Sequence, residues 1–565
     1  MTVHDSAHEA HPSAPVRVAT PIDAVAEGWV RTLTDLVPSL ATYIGLDRGK
    51  LGEWEDFSSA GHEALAAATR AVIAELAPLA PVDAVDAVTK DDLLGTLRLE
   101  LEKHELKFEL HDVNVLASPV QTLRETYDLM PTETEGDWAN VASRLNSAPV
   151  AIDQYIETLR RGIAEGVVPA KRQVLEVIIQ CRTTADPDGL FAGLVGQADG
   201  YSGGLTSDLR KGALASAAAY ARLADFFEDE LLPAAGERDA VGRELYSVAS
   251  RSFLGATVDL DETYEWGIEE LQRMTEEQAG IADEIKPGAS VGEAIEFLSD
   301  DPSRKLRGTD ALREWMQRTS DHAIEELGKS HFDIPKEIRT LECMIAPNHT
   351  GIIYYTGPTD DFSRPGRMWW SVPEGVTEFD TWRELTTVYH EGVPGHHLQI
   401  AQAVYNRATL NSYRRLLAGT SGHAEGWALY AERLMEELGY LDDPADRLGM
   451  LDGQRMRAAR VVLDIGVHLE KERPDGQGKW TGDYAFDFMA RNVNMAPEFV
   501  RFEVNRYLGW PGQAPSYKVG QRIWEQIRDE YRAREGSAFN PKEFHKRALD
   551  LGGIGLDTLK DALLG

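Results

Sequence analysis

His390 and Glu391 are adjacent, and His396 and His397 follow across Pro394-Gly395. Imidazoles beside a carboxylate are the donors of a catalytic metal centre, with the carboxylate free to take a proton from water. Four of the chain's 15 histidines (His390, His396, His397 and His423) fall between positions 390 and 423. A chance share of that window is about one. The His-Glu pair alone carries no information, because it also occurs at His8, His62 and His104, none followed by Pro-Gly-His-His.

The usual helical pattern is His-Glu-x-x-His, which stacks two imidazoles one turn apart on a zinc ion. Here the next histidine is six or seven residues on. In an unbroken helix that is about 9–10.5 Å of rise, too far for two ligands each about 2.1 Å from one ion. Pro394 has no N–H to give the carbonyl of His390, and Gly395 tolerates dihedrals other residues avoid. The pair therefore predicts a break that returns His396, or alternatively His397, to the metal. Catalytic zinc takes three protein ligands. Glu425, in the first turn of a helix capped at Thr420 or Ser421, is the candidate third; its place resembles the gluzincin arrangement, in which a Glu on a second helix completes a His-His-Glu site. Glu432, two turns on, is placed to orient a ligand.

Three segments together resemble the bacterial family labelled domain of unknown function 885. They are His390-Glu-Gly-Val-Pro-Gly-His-His-Leu-Gln, Gly422-His-Ala-Glu-Gly-Trp-Ala-Leu-Tyr-Ala-Glu, and Glu503-Val-Asn-Arg-Tyr with Pro511-Gly-Gln-Ala and Ser516-Tyr-Lys-Val-Gly. Phe544-His545 and Gly552–Leu556 extend the likeness. The family is similar in layout to helical gluzincin peptidases such as thimet oligopeptidase and carboxypeptidase Taq. The resemblance implies a mainly α fold with two helical lobes around a deep cleft, and zinc-dependent cleavage of short peptides with one zinc per chain. It favours His396 over His397, since Gly395-His396 matches the Gly-His end of the gluzincin helix with two residues inserted. Glu391 is then the general base. The donor to the oxyanion is expected from Tyr517, Tyr507 or His423. Arg506, Lys518, Tyr355 and Arg364 are expected to meet substrate. Two other readings are a zinc-dependent amide hydrolase acting on a small metabolite or modified amino acid, and a non-catalytic zinc-stabilised helical protein.

The elements that must position these groups read as helices around one β insertion. Thr381 and Glu384 form a capping-box pattern, predicting a helix that carries Leu385, Val388 and Tyr389 into a core. Ala213–Leu232 has helical spacing, and Ser290-Val-Gly-Glu293 reads as a second capping box. Thr340–Ile345, Gly351–Thr356 and Met368–Val372 are short Ile/Tyr/Trp-rich runs between turns, predicting a small sheet near residues 340–372. The expected organisation is a flexible tail over 1–20, an N-terminal helical lobe over 21–337, and a metal-site lobe over 338–565 with the small sheet and C-terminal helices.

Composition limits the partners. The 565 residues carry 93 Asp+Glu against 58 Lys+Arg, a formal charge of -35. Such a polyanion repels phosphate backbones and anionic membrane surfaces, so neither nucleic acid nor membrane is an expected partner. Only Cys181 and Cys343 are present, excluding a disulfide framework or a cysteine metal knuckle. No apolar run approaches a membrane span. Met1–Ala19 is polar, holds His4, His8 and His11, and has no apolar h-region, so a cytoplasmic location is the expectation.

Overall fold

The computed structural model describes residues 17–347, apart from 199 and 202, and residues 352–565. His4, His8, His11 and most of the tail lie outside the described residues, as does Gly351 of the second predicted strand.

In the first half, helices α1 (Pro21–Leu36), α2 (Ser59–Leu76), α3 (Ala84–Glu105), α4 (Glu135–Glu165), α5 (Lys171–Thr184) and α6 (Gly203–Phe226) follow one another. The run predicted at Ala213–Leu232 begins earlier, at Gly203, and its last turns widen into a π-turn over Phe227–Leu231. Leu145, Ile152, Leu159, Val177, Leu209 and Leu223 meet in one core between α4, α5 and α6. Residues 17–20 depart from the tail expectation. Arg17 pairs with Asp23 (2.5 Å), Asp83 (2.7 Å) and Asp86 (2.5 Å), and Thr20 caps α1 with a capping box.

Ile22, Trp29, Leu93 and Leu97 of α1 and α3 form one core with Tyr413, and a larger core gathers most of the buried apolar residues from Tyr246 to Leu564. It includes α7 (Arg243–Leu254), α8 (Leu260–Ile285) and α9 (Thr309–Ser330). The apolar faces of these helices therefore belong with the residues after 338, and the division between the two larger cores falls near residue 240 rather than at 337. The predicted Ser290 capping box is present, with Ser290 and Glu293 bonded reciprocally. Across the division lies a cavity of about 770 Å³, with α3 residues Leu101 and His104 on one side and Phe253, Trp510 and Pro511 on the other.

The predicted sheet forms from β2 (Leu341–Ile345), β3 (Ile353–Thr356) and β4 (Gly366–Trp370) in the order β2-β4-β3. β2 runs parallel to β4 with Cys343 opposite Met368, and β3 runs antiparallel to β4 with Tyr355 opposite Met368. A separate pair, β1 (Lys305–Arg307) and β5 (Glu378–Asp380), delivers the chain into the metal-site helices. These are α10 (Thr381–Glu391), α11 (His396–Tyr405), α12 (Ser421–Glu437), α13 (Pro444–His468), α14 (Pro497–Gly509) and α15 (Ser516–Glu535). The chain is thus mainly α with small sheets. Among the described residues no helix is long and apolar enough to cross a membrane.

Candidate metal centre

α10 starts at Thr381 and buries Trp382, Val388 and Tyr389. Its cap differs from the expectation. Asp380 is the capping residue without a side-chain bond, Thr381 Oγ1 donates to the Arg304 carbonyl (3.0 Å), and no capping box forms; burial pushes Glu384 up to about 7.

The helix stops at Glu391 and α11 begins at His396. Gly395 allows this because the chain doubles back on itself. A Cβ at Gly395 would lie 1.8 Å from the His390 carbonyl oxygen, so no other residue fits. Trp427 Nε1–H of α12 donates to the Pro394 carbonyl (2.8 Å) and fastens the turn. α12 itself is capped by Thr420 as predicted. It crosses α15 at backbone contact, since a Cβ at Gly426 would stand 2.4 Å from the Gly520 carbonyl carbon. That approach brings Glu425 near enough to Tyr517, one turn before Gly520, for its charge to act on the hydroxyl.

The outcome of this packing is a converging donor set. His390, His396 and Glu425 each offer a ligand atom, and the three atoms lie within 4.8 Å of one another. His390 Nε2 is 3.3 Å and His396 Nε2 3.7 Å from Glu425 Oε2, and the two rings stand nearly perpendicular at 88°. Two buried atoms here, Glu391 Oε2 and His396 Nδ1, have no hydrogen-bond partner, and Glu425 Oε2 has only the two imidazoles at 3.3 and 3.7 Å. A buried carboxylate oxygen such as Glu391 Oε2 is costly to leave without a partner unless a ligand satisfies it. Two imidazole nitrogens and one carboxylate oxygen suit zinc. The group can hold a metal ion.

Behind the donors, His390 Nδ1–H donates to Glu432 Oε1 (2.7 Å). Glu432 Oε2 accepts from Thr386 Oγ1 (2.9 Å) and Gln454 Nε2 (3.3 Å). Burial opposes charge on His390, but bonds to Glu425 and Glu432 outweigh it and push the metal-free imidazole up to about 10. Burial raises the Glu391 carboxyl. Burial also opposes ionisation of Glu425, yet His390 and His396 hold it well below the ordinary carboxylate range.

The other predicted residues divide sharply. His397 is turned away, its Nδ1 meeting Tyr355 Oη (2.9 Å) and its Nε2 the Ile338 carbonyl (2.7 Å), and burial lowers it to about 4. Tyr355 is thereby engaged with His397 rather than facing a substrate. His423 does not reach the donor set. It packs on Trp524, lies 3.4 Å from Gln399 Nε2, and burial lowers it to about 3. Tyr507 is fully buried and bonded to Glu503 and Arg460, so it is a packing residue. Of the expected donors, Tyr517 is the one that feels the charge of Glu425. Burial and then the charge of Glu425 raise its hydroxyl. Arg506 is taken by Glu503 (3.2 Å) and Gln513 (2.7 Å). Lys518 is buried against Glu270 (3.1 Å), Gln454 (2.9 Å) and Gln521 (2.9 Å). Arg364 braces its own loop through the Gly357 carbonyl (2.8 Å). Sequence reasoning missed Arg457, whose charge acts on both Glu391 and Glu432. Nothing in Arg455-Met-Arg457-Ala-Ala-Arg460 distinguishes it from its neighbours.

A family model for bacterial proteins of unknown function, DUF885, matches residues 38–563. The chain belongs to that family. No curated protein matches it. Among solved structures, a candidate lipoprotein from Colwellia psychrerythraea superposes with a TM-score of 0.83 at 22% identity, over 96% of this chain and 99% of that one. A candidate lipoprotein of unknown function from Shewanella oneidensis gives 0.75 at 18% identity, over 97% and 100%. Both share the DUF885 chain's fold. A carboxypeptidase from Pyrococcus furiosus reaches only 0.41 at 12% identity, over 97% and 96%, which is too low to bear on function.

Proposed function

We propose that this DUF885 protein is a zinc-dependent hydrolase that cleaves amide bonds in short peptides. One observation carries the reading. Glu391 Oε2 is buried without a partner, on the residue that follows the donor His390 and under the charges of His396, His390 and Glu425. A site that only stabilises structure is closed and has no use for such a base. His390, His396 and Glu425 would hold one zinc, which when bound supplies a Lewis acid that acidifies water and polarises the substrate carbonyl. Glu391 accepts the proton of the attacking water and passes it to the leaving nitrogen. Its environment favours the task, since burial raises its basicity. Tyr517 O–H donates to the developing oxyanion. The donors are nearly enclosed, with His390 at 5% and His396 at 8% exposure, which favours small substrates over folded proteins.

Elemental analysis of purified protein should find one zinc per chain, and His390→Ala should abolish it. Glu391→Gln should keep the zinc and lose turnover of a short-peptide library by about three orders of magnitude or more. Full zinc occupancy in the His390→Ala protein, or equal loss of zinc in Glu391→Gln, would overturn the assignment. A wild-type, zinc-loaded protein that cleaves no peptide but hydrolyses a small amide would shift the substrate and leave the centre standing.

A further inference from the structure

We propose that Arg457 receives a free carboxylate of the substrate, so that the centre acts on amides carrying a carboxylate beside the bond cleaved. The inference rests on the hydrolase reading above and adds its anchoring cation and substrate class.

Acidic residues outnumber basic ones 93 to 58, so an arginine normally finds a carboxylate. The cations around the centre do so. Arg460 bonds Glu503 (2.7 Å) and the Tyr507 hydroxyl (2.6 Å), while Arg506 and Lys518 are paired as described. Arg457 is different. Among the described residues it has no hydrogen-bond or ion-pair partner, and its Nε is buried and unsatisfied. Its guanidinium carbon stands 5.9 Å from the ring centre of Tyr517. Nη1 occupies a notch left by Gly453, where a Cβ would come within 2.8 Å of it. Gln454, three residues earlier on the same face of α13, donates to the Glu432 that holds His390. One helix face thus carries both the support of a metal donor and an open guanidinium.

The nearby carboxylates are otherwise engaged. Glu432 takes His390, Thr386 and Gln454, and Glu425 faces His390 and His396. Arg457 influences Glu391 and Glu432 through space but bonds neither. A partly desolvated guanidinium without an acceptor is costly, and its planar fork of donors matches a carboxylate from a ligand. Two sources present that group next to an amide: the C-terminal residue of a peptide, and an N-acylated amino acid.

The test uses full-length, zinc-loaded Glu391→Gln protein, so that binding is read without turnover. Three probe sets are titrated by calorimetry: a short-peptide library with free C-termini, the same library amidated, and N-acetyl amino acids. Free acids are expected to bind roughly 10- to 100-fold more tightly than amides. Adding Arg457→Gln should bring that ratio close to one, and Arg457→Lys should leave an intermediate value. Zinc content and melting curves establish that each variant is folded. If Arg457→Gln does not fold, Gly453→Ala, which displaces the guanidinium from its notch, must lower the ratio in its place. Stronger binding of N-acetyl amino acids than of peptides would support the inference and identify the source. A ratio unchanged by Arg457→Gln, no preference in the parent, or binding of none of the probes would overturn it. Failure of the hydrolase reading is separate, and would appear as zinc-loaded wild type cleaving no member of any set.

Discussion

Glu432 offers the most direct way to perturb the centre without touching a donor atom. The side chain is 1% exposed and accepts three bonds, from His390 Nδ1 (2.7 Å), Thr386 Oγ1 (2.9 Å) and Gln454 Nε2 (3.3 Å). The first holds a proton on Nδ1, so that Nε2, which faces Glu425, is the nitrogen that would take a metal. A hydrogen bond to an ionised acceptor contributes about 1.5–3 kcal/mol, against about 0.5–1.5 for a neutral one. Glu432→Gln keeps the volume and one acceptor oxygen but loses the charge, a difference of about 1 kcal/mol, or roughly fivefold to tenfold in zinc dissociation constant. Glu432→Ala leaves His390, Thr386 and Gln454 without their acceptor and frees the imidazole to rotate. Outer partners of this kind are typically worth about 10- to 100-fold in metal affinity, and the alanine variant belongs at the upper end. The assay is competition for zinc against a chelator of known affinity, with the melting temperature of the metal-free protein followed in parallel. The metal-free alanine variant should also melt lower, because buried donors are left unsatisfied. Zinc affinity of Glu432→Ala within twofold of the parent would refute the reasoning. So would a Glu432→Gln effect larger than that of Glu432→Ala.

Two further perturbations test the scaffold. Gly395→Ala places a Cβ 1.8 Å from the His390 carbonyl oxygen and 2.5 Å from that of Tyr389, so zinc content should fall close to zero while circular dichroism stays helical. A Gly395→Ala protein that loads zinc like the parent would disprove the role given to the turn. Burial lowers Lys518 to about 8, from 10.5 when unfolded. Between those values the unfolded chain binds more protons, so stability should rise with pH across that window, by up to about 3 kcal/mol, with the cost of the buried charge present in full below it. Lys518→Met leaves Glu270 with Arg273 (2.8 Å) and should remove that dependence. Parallel pH profiles of parent and variant between pH 8 and 10.5 would contradict it.

Local grammar made the helical frame legible. Thr420 and Ser290 cap helices where their side chains predict, and the Ile/Tyr/Trp runs pair as a sheet. The break between His390 and His396 follows from a missing N–H and a missing Cβ, both visible in the letters. The partition of the chain was not legible in this way. Helices such as α8 present an apolar face that reads the same whichever core receives it, so the division near residue 240 depends on long-range packing. Individual roles fail for the same reason. The sequence does not separate Tyr507 from Tyr517, and only the contact of α12 with α15 at Gly426 and Gly520 brings Tyr517 under the charge of Glu425.

Cations were misjudged through pairing rather than position. In so acidic a chain, proximity of a basic residue to the motif says little, because Arg506 and Lys518 each find acceptors of their own. What distinguishes a cation available to a ligand is an absence, the lack of any partner, and no window of sequence records it. Arg457 shows it only once α12, α13 and α15 are packed together. The same packing that commits Glu432 to His390 and Glu503 to Arg460 leaves this guanidinium without a carboxylate of its own.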